Sequence, residues 1–386
     1  MLKYKSKFAT KKSEAHLLLK RGAAYFNKEM LEQASQDYDT SADLFLLSGD
    51  SIFAADARFF AGQVYTDLKN FITSVERFKQ AYKIYDRLGD KDYSNYTLNE
   101  LSSLYGRNGF YDKAIYERKR VLSNAKKLKN YIAMTFAYVH LASGYFDKKE
   151  YDTYKKYNDS IALNLDSIKN KYNHAEFSFQ LSKMNLEYSL KTDNLEKANF
   201  FLKETKNKIK FGKLETYYEK PILYLEALLN FKNKKFNKAK KGLEKLLNKK
   251  NKGPVKIIMR AEKKLADIYE QEKKYAKAFY HLSNYLNLKN EYDTQIKTNT
   301  FLYYQSEFET ERKDNEIYKK ETEISLLEKD KEIAKSKRKV MLMLLISIFL
   351  LSIVISFYIW KQGKEKSKKL SLKIDKNKKE LKEFTD

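Results

Sequence analysis

Small and aromatic residues along the N-terminal part of the chain return with a period of 40. Gly22, Gly62, Ser102 and Ala142 are each followed three residues later by a tyrosine (Tyr25, Tyr65, Tyr105, Tyr145), and six residues beyond that by Leu31, Phe71, Tyr111 or Tyr151. Another small residue follows three positions on in the first three units (Ala34, Ser74, Ala114), whereas the fourth has Tyr154. Spacings of three and four put such residues on one face of a helix, and self-similarity at this length is the signature of a repeat array. Ser48-Gly49-Asp50 and Leu88-Gly89-Asp90, again 40 apart, predict turns between helices. Three less regular units follow, on Leu195 and Ala198, on Phe236 and Ala239, and on Tyr275 and Ala278. The pattern thus predicts about seven helical hairpins over residues 15–289, after an N-terminal segment 1–14. Only two prolines and eleven glycines occur in 386 residues, so the chain reads as all-α, its helices joined by short turns.

The repeated motif resembles the tetratricopeptide (TPR) repeat, which carries L-G-x-x-Y on its first helix and A-x-x-x-F-x-x-A on its second. The second unit matches most fully, at Gly62, Tyr65, Phe71, Ser74, Phe78 and Ala81, and the last keeps the spacing at Leu265, Ala266, Tyr269, Tyr275 and Ala278. The family repeat is 34 residues, so a spacing of 40 implies longer helices or turns. The resemblance covers about 70% of the chain and implies a TPR-like α-solenoid, in which small residues let the two helices of a hairpin approach and aromatics fill the space between hairpins.

Beyond Tyr285 the hairpin pattern stops. Residues 290–339 predict one long charged helix with sparse apolar positions at Phe301, Tyr304, Phe308, Ile317, Ile324, Leu327 and Ala334. Ile317, Ile324 and Leu327 keep heptad spacing while Lys320 and Lys331 fall on core positions, an imperfect coiled coil that either pairs two chains in a homodimer or folds back on the array. Residues 340–360, VMLMLLISIFLLSIVISFYIW, carry no charge, and at 1.5 Å per residue they predict a transmembrane helix of roughly 30 Å. Six lysines or arginines lie in the fifteen residues on either side, so the positive-inside rule leaves the orientation open. The basic tail, residues 361–386, begins a second coiled-coil seam at Leu370, Ile374, Asn377, Leu381 and Phe384.

Charge and composition narrow the function. The net charge is +26, but only ten of the 77 basic residues are arginine and the lysines are spread along the whole chain. Specific nucleic-acid readout favours arginine forks, so nucleic acid is not an expected partner. Cysteine is absent, which excludes disulfides, thiolate metal sites and cysteine nucleophiles. The start of the sequence lacks the apolar stretch of a cleavable secretory signal. His16, His140, His174 and His281 have no metal-ligand spacing. No phosphate loop, nucleophile elbow or HExxH motif occurs. The expectation is a non-enzymatic protein without cofactor or metal.

The TPR resemblance implies a concave groove lined by first helices, which here points to Phe59, Gln63, Asp67, Asn99, Ser103, Arg107, Val139, Ser143 and Asp147, with a protein or peptide as ligand. The family's carboxylate clamp needs Lys and Asn where this chain has Leu19, Ala23, Phe60, Tyr96 and Glu100, so capture of a chaperone's acidic C-terminus is not implied. The order of array, charged helix, span and basic coiled-coil start resembles bacterial membrane-bound TPR sensor regulators, whose output is a LuxR-type or histidine-kinase module. That likeness implies the sensory half of a signalling protein of the bacterial inner membrane, its array in the periplasm. The alternative is a tail-anchored cytoplasmic adaptor that recruits a partner to the membrane, as the missing signal suggests.

Overall fold

The period of 40 is two helices of 17 residues, each followed by a three-residue turn. The structure is a computed structural model describing residues 10–248 and 254–383. It begins with α1 (Lys11–Asn27), α2 (Leu31–Leu47), α3 (Ser51–Asp67), α4 (Phe71–Arg87), α5 (Lys91–Arg107), α6 (Tyr111–Lys127) and α7 (Tyr131–Asp147), all of one length. The register then slips through α8 (Tyr151–Leu165) and the longer α9 (Lys171–Lys191), which is why the later units are harder to see in the sequence. The chain continues as α10 (Leu195–Phe211), α11 (Glu215–Lys232), α12 (Phe236–Leu247), α13 (Val255–Gln271) and α14 (Tyr275–Glu383). These fourteen helices of the described residues form seven hairpins, and no strand occurs among them.

The three-residue turns are all built the same way. Between α1 and α2, the N–H of Met30 donates to Tyr25 O and that of Glu29 to Phe26 O, both at 3.0 Å, the paired bonds of a Schellman cap. The middle residue is left-handed. It is glycine at 49, 89 and 109 (φ 77°, 75° and 84°), but Glu29, Lys69, Lys129 and Lys149 take the same conformation at φ 58°, 59°, 52° and 63°. A side chain there costs roughly 1–2 kcal/mol, which the cap bonds offset, so glycine marks only some of the turns. Gly109 has a second constraint: a Cβ on it would lie 3.3 Å from Ile296. Starts are capped by Asn70, Asp90 and Asn130, whose side-chain oxygens accept from the N–H three residues on at 3.2, 3.1 and 3.0 Å.

In the first two hairpins the small position of the first helix faces an aromatic of the second. A Cβ added to Gly62 would sit 2.9 Å from the Phe78 ring, and one on Gly22 3.1 Å from Tyr38. Phe78 is fully buried between Phe59 and its neighbours, so it has no room to retreat. Gly62→Ala is therefore expected to destabilise the array by about 1–3 kcal/mol through overpacking, although alanine is the better helix former. Denaturant unfolding of the two proteins checks this; a variant as stable as the parent would mean that α3 and α4 can move apart freely. Tyr154, where the fourth unit leaves the pattern, is buried and donates its hydroxyl to Met184 O at 2.8 Å.

The chain divides into two compact units, Met1–Ser306 and Glu307–Asp386. The first extends past residue 289 because the start of α14 returns to the array. Its His281 ring stacks on Tyr269 of α13 at 5.4 Å. Farther on, Asn299 Nδ2 donates to Asn108 Oδ1 at 2.6 Å, and the Tyr292 hydroxyl donates to Arg107 O at 3.5 Å. Tyr303, only 3% exposed, lies between Phe71, Phe110 and Tyr105 with ring centroids 5.9, 4.9 and 5.8 Å away. Lys113 stands over its face at 4.9 Å. Of the two alternatives open for the long helix, residues 290–306 thus take the fold-back.

In the second unit α14 continues as a helix whose side chains are exposed over residues 308–379, among them Ile317, Ile324 and Leu327 of the heptad. It contains the one helical segment among the described residues long and apolar enough to cross a membrane, by length and composition. Residues 1–9 of the N-terminal segment and Phe384 of the tail seam lie outside the described residues.

Candidate ligand-binding groove

First helices of successive hairpins put their side chains into a shared groove of about 1010 Å³. Phe136, Val139 and His140 come from α7, Gln180, Lys183 and Glu187 from α9, Tyr218, Tyr224 and Lys232 from α11, and Lys256, Arg260 and Lys264 from α13. Most of the lining thus comes from first helices, which meet within the curve of a repeat array, and Tyr151 and Tyr154 of the second helix α8 complete it. Its lining holds seven basic residues (with Lys149 and Lys191) against Asp147, Glu176, Glu187 and Asp193. Some are committed: Lys183 pairs with Glu187 at 3.5 Å, Lys232 pairs with Asp193, and Lys264 reaches Asp267 at 2.8 Å. Tyr218 donates its hydroxyl to Glu176 at 3.1 Å. The remaining lysines and Arg260 leave a surplus of positive charge among apolar and aromatic walls.

A smaller cavity of about 300 Å³ opens between α5, α6, α7 and α13. It shares His140, Ser143, Asp147 and Lys256 with the groove, and Ser103, Arg107 and Arg118 complete its polar lining. Burial pushes the Asp147 carboxyl up, against the opposing pull of Lys256 and Arg260. Burial also raises Glu100, which lies in the field of Arg107 and Arg118. For Lys256, burial works downward, but Tyr111, Tyr292 and Asp147 outweigh it and hold the ammonium above its ordinary value. Burial brings the Arg118 guanidinium down to about 9.

The nine residues expected from the sequence fall into several places. Ser103, Arg107, Ser143 and Asp147 meet in the smaller cavity, and Val139 joins Ser143 and Asp147 along the large groove. Gln63 belongs to a separate cavity of about 320 Å³ against α1, with Ala23 and Tyr38. Asn99 turns its side-chain oxygen to Arg118, 2.5 Å away. Phe59 is a core residue, 6% exposed, packed on Phe78 and Tyr96 at 5.5 and 5.2 Å. Asp67 is exposed at the end of α3. The sequence reading did not reach Arg118, Lys183, Lys256 or Arg260. Arg118 had a signal, because it lies 40 residues after Phe78; α13 had none, since only the superhelical turn brings it opposite α5–α7.

The His140 ring packs on Phe136, centroids 4.5 Å apart and planes tilted by 56°. Burial first, then the charges of Arg118 and Lys183, hold its pKa well below the ordinary value. A histidine in the unfolded chain gains its proton near pH 6.5, whereas the folded one gains it only at lower pH. The unfolded state therefore binds more protons below about pH 6.5, so this contribution is fully present above that pH and is lost as the pH falls through the window beneath it. His140→Gln is expected to lose less stability than the parent between pH 7.5 and 5.5 in denaturant melts. An equal loss in both would assign the acid sensitivity to other groups.

No protein-family model matches the chain, and no curated protein sequence does. Solved structures do. The apo form of RapI has a TM-score of 0.58 at 16% identity, over 74% of this chain and 99% of its own. A Rap protein complexed with competence and sporulation factor gives 0.52 at 17%, over 73% and 76%. A tetratricopeptide repeat protein from Parabacteroides merdae gives 0.51 at 13%, over 75% and 99%. At these identities the likeness is one of fold.

Proposed function

From a fold that is a TPR-type solenoid, we propose that this chain is a membrane-anchored receptor that holds a peptide, or an extended segment of a partner protein, in its groove. The observation that carries the reading is the groove itself: about 1010 Å³, lined from α7, α8, α9, α11 and α13 by aromatic walls and surplus cations. Its volume lies at the upper end of small-ligand sites, and its mixed lining suits a chain with apolar side chains and acidic groups better than a compact metabolite. The solved Rap protein with its bound factor supports this, since the same fold there accommodates a ligand. We assign no catalytic step, cofactor or metal to the chain.

The signalling role rests on α14. One continuous helix docks on the turns beside Arg107 and later contains residues 340–360. Arg107 lines the smaller cavity, so a ligand that displaces it bears on the helix at Tyr292. A ligand shifts such an equilibrium only by its different affinity for the docked and released forms. Pairing of the exposed heptad at Ile317, Ile324 and Leu327 in a homodimer belongs to the same reading. The tail-anchored adaptor differs from it in orientation alone. Single cysteines at Gly89 and Lys376, labelled on intact cells with an impermeant thiol reagent, separate the two, because the chain has no cysteine of its own.

Binding is tested with the full chain in detergent micelles. Peptides selected against it from a displayed random library should bind the parent and lose about tenfold or more on Lys183→Ala with Arg260→Ala. Selections that yield no binder sensitive to groove substitutions would remove the reading.

A further inference from the structure

Tyr38, Phe78 and Arg118 stand 40 residues apart, at one position of the second helices α2, α4 and α6. The first two fill the space beneath Gly22 and Gly62. In the third hairpin a guanidinium takes the place of the aromatic, 2% exposed and facing Ser102. Its Nε donates to Ser102 Oγ at 3.1 Å, Nη1 to Asn99 Oδ1 at 2.5 Å, and Nη2 to Asn99 O and Ser103 Oγ at 3.3 and 3.1 Å. Every acceptor is neutral. Among the described residues no carboxylate forms an ion pair with it, the charge of Glu100 acting on it without a hydrogen bond, and of the five guanidinium N–H groups one on Nη1 has no acceptor there. A buried charge that makes no ion pair is costly, and the preceding hairpins show that an aromatic fits this position.

The surroundings add to the imbalance. The cavity that Arg118 lines also takes Arg107 and Lys256, with Asp147 as its single lining carboxylate, and Asp147 is under the pull of Lys256 and Arg260. Ser103 and Ser143 each have a hydroxyl hydrogen to give. We propose that this cavity is an oxyanion subsite of the groove, which receives a carboxylate of the bound peptide against Arg118, Arg107 and Lys256. It rests on the peptide-binding reading for the source of the carboxylate, since the cavity opens into the groove through His140, Ser143, Asp147 and Lys256. Arg118 supplies the charge-assisted donor, and the two flanking cations bring the group in. The site uses none of the family's clamp positions.

The test uses the full chain in micelles, melted by circular dichroism in potassium chloride, potassium succinate or potassium phosphate at equal ionic strength. Succinate is expected to raise the melting temperature by a few degrees over chloride. Arg107→Gln with Lys256→Gln should abolish that rise while leaving the melting temperature in chloride close to that of the parent. R118M should abolish it too, and the Arg107/Lys256 double variant keeps the test open where R118M fails to fold. In the second arm, a groove-selected peptide containing acidic residues is compared with its Asn/Gln, C-terminally amidated counterpart; the parent should lose about tenfold in affinity and the double variant nothing. A rise with phosphate alone, or one retained in the double variant, overturns the assignment. So does a peptide indifferent to neutralisation, which would leave the groove reading intact. A succinate rise without any groove peptide would instead overturn the peptide source and that reading together.

Discussion

Tyr303→Ala is expected to release the start of α14 from the array and cost about 3–5 kcal/mol, the usual penalty for emptying a buried aromatic site. The ring is 3% exposed and touches three others from α4, α5 and the turn before α6. In a repeat array each unit ordinarily contacts only its neighbours. Here the seventh hairpin is tied to the second and third, so the loss is not absorbed by adjacent packing. Hydrogen exchange should quicken across residues 292–303 and the turn at 108–110, while α1 and α2 keep their protection. Tyr303→Phe is the control: it removes only the hydroxyl 3.3 Å from Tyr105 Oη, worth about 0.5–1.5 kcal/mol. Unchanged exchange in the alanine variant would show that the polar bonds at Asn299 and Tyr292 hold the helix without the ring.

Two arginines in the middle of the apolar segment test the other main claim. On the membrane-anchored reading, Ile346→Arg with Leu350→Arg puts two charges on one face of the helix near its midpoint. Each costs about 2.5–3.5 kcal/mol at the centre of an inserting helix, hence about 5–7 kcal/mol together, comparable to what such a helix gains on insertion. The parent is expected to stay with carbonate-washed membranes and the double variant to move to the supernatant or be degraded. A parent already in the supernatant would sink the anchor, and the segment would then have to be covered by protein.

The sequence by itself determined the array. Small and aromatic residues at a 40-residue spacing prescribe hairpins because a Cβ at 62 has no room over the Phe78 ring, and that constraint is local to one pair of helices. The uncharged stretch at 340–360 was equally plain, since length and composition alone define such a segment. Turn glycines marked the breaks at 49 and 89, but Lys69, Lys129 and Lys149 take the same backbone conformation unannounced, because hydrogen bonds between helix ends carry those turns.

The groove was only partly legible. Residues of α5 and α7 such as Ser103, Arg107, Ser143 and Asp147 could be placed by register, because neighbouring hairpins repeat one geometry. Phe59 held the same register and went into the core, since Phe78 and Tyr96 close over it. What α13 and α14 contribute was decided by the tertiary structure alone. Lys256 meets Asp147, and Tyr303 meets Tyr105, across more than a hundred residues of chain. Those meetings depend on the curvature summed over several hairpins, in which each small rotation between neighbours adds to the next. A repeat motif fixes the packing of one hairpin on another; where the far ends of the superhelix come together is settled only when all the rotations have accumulated.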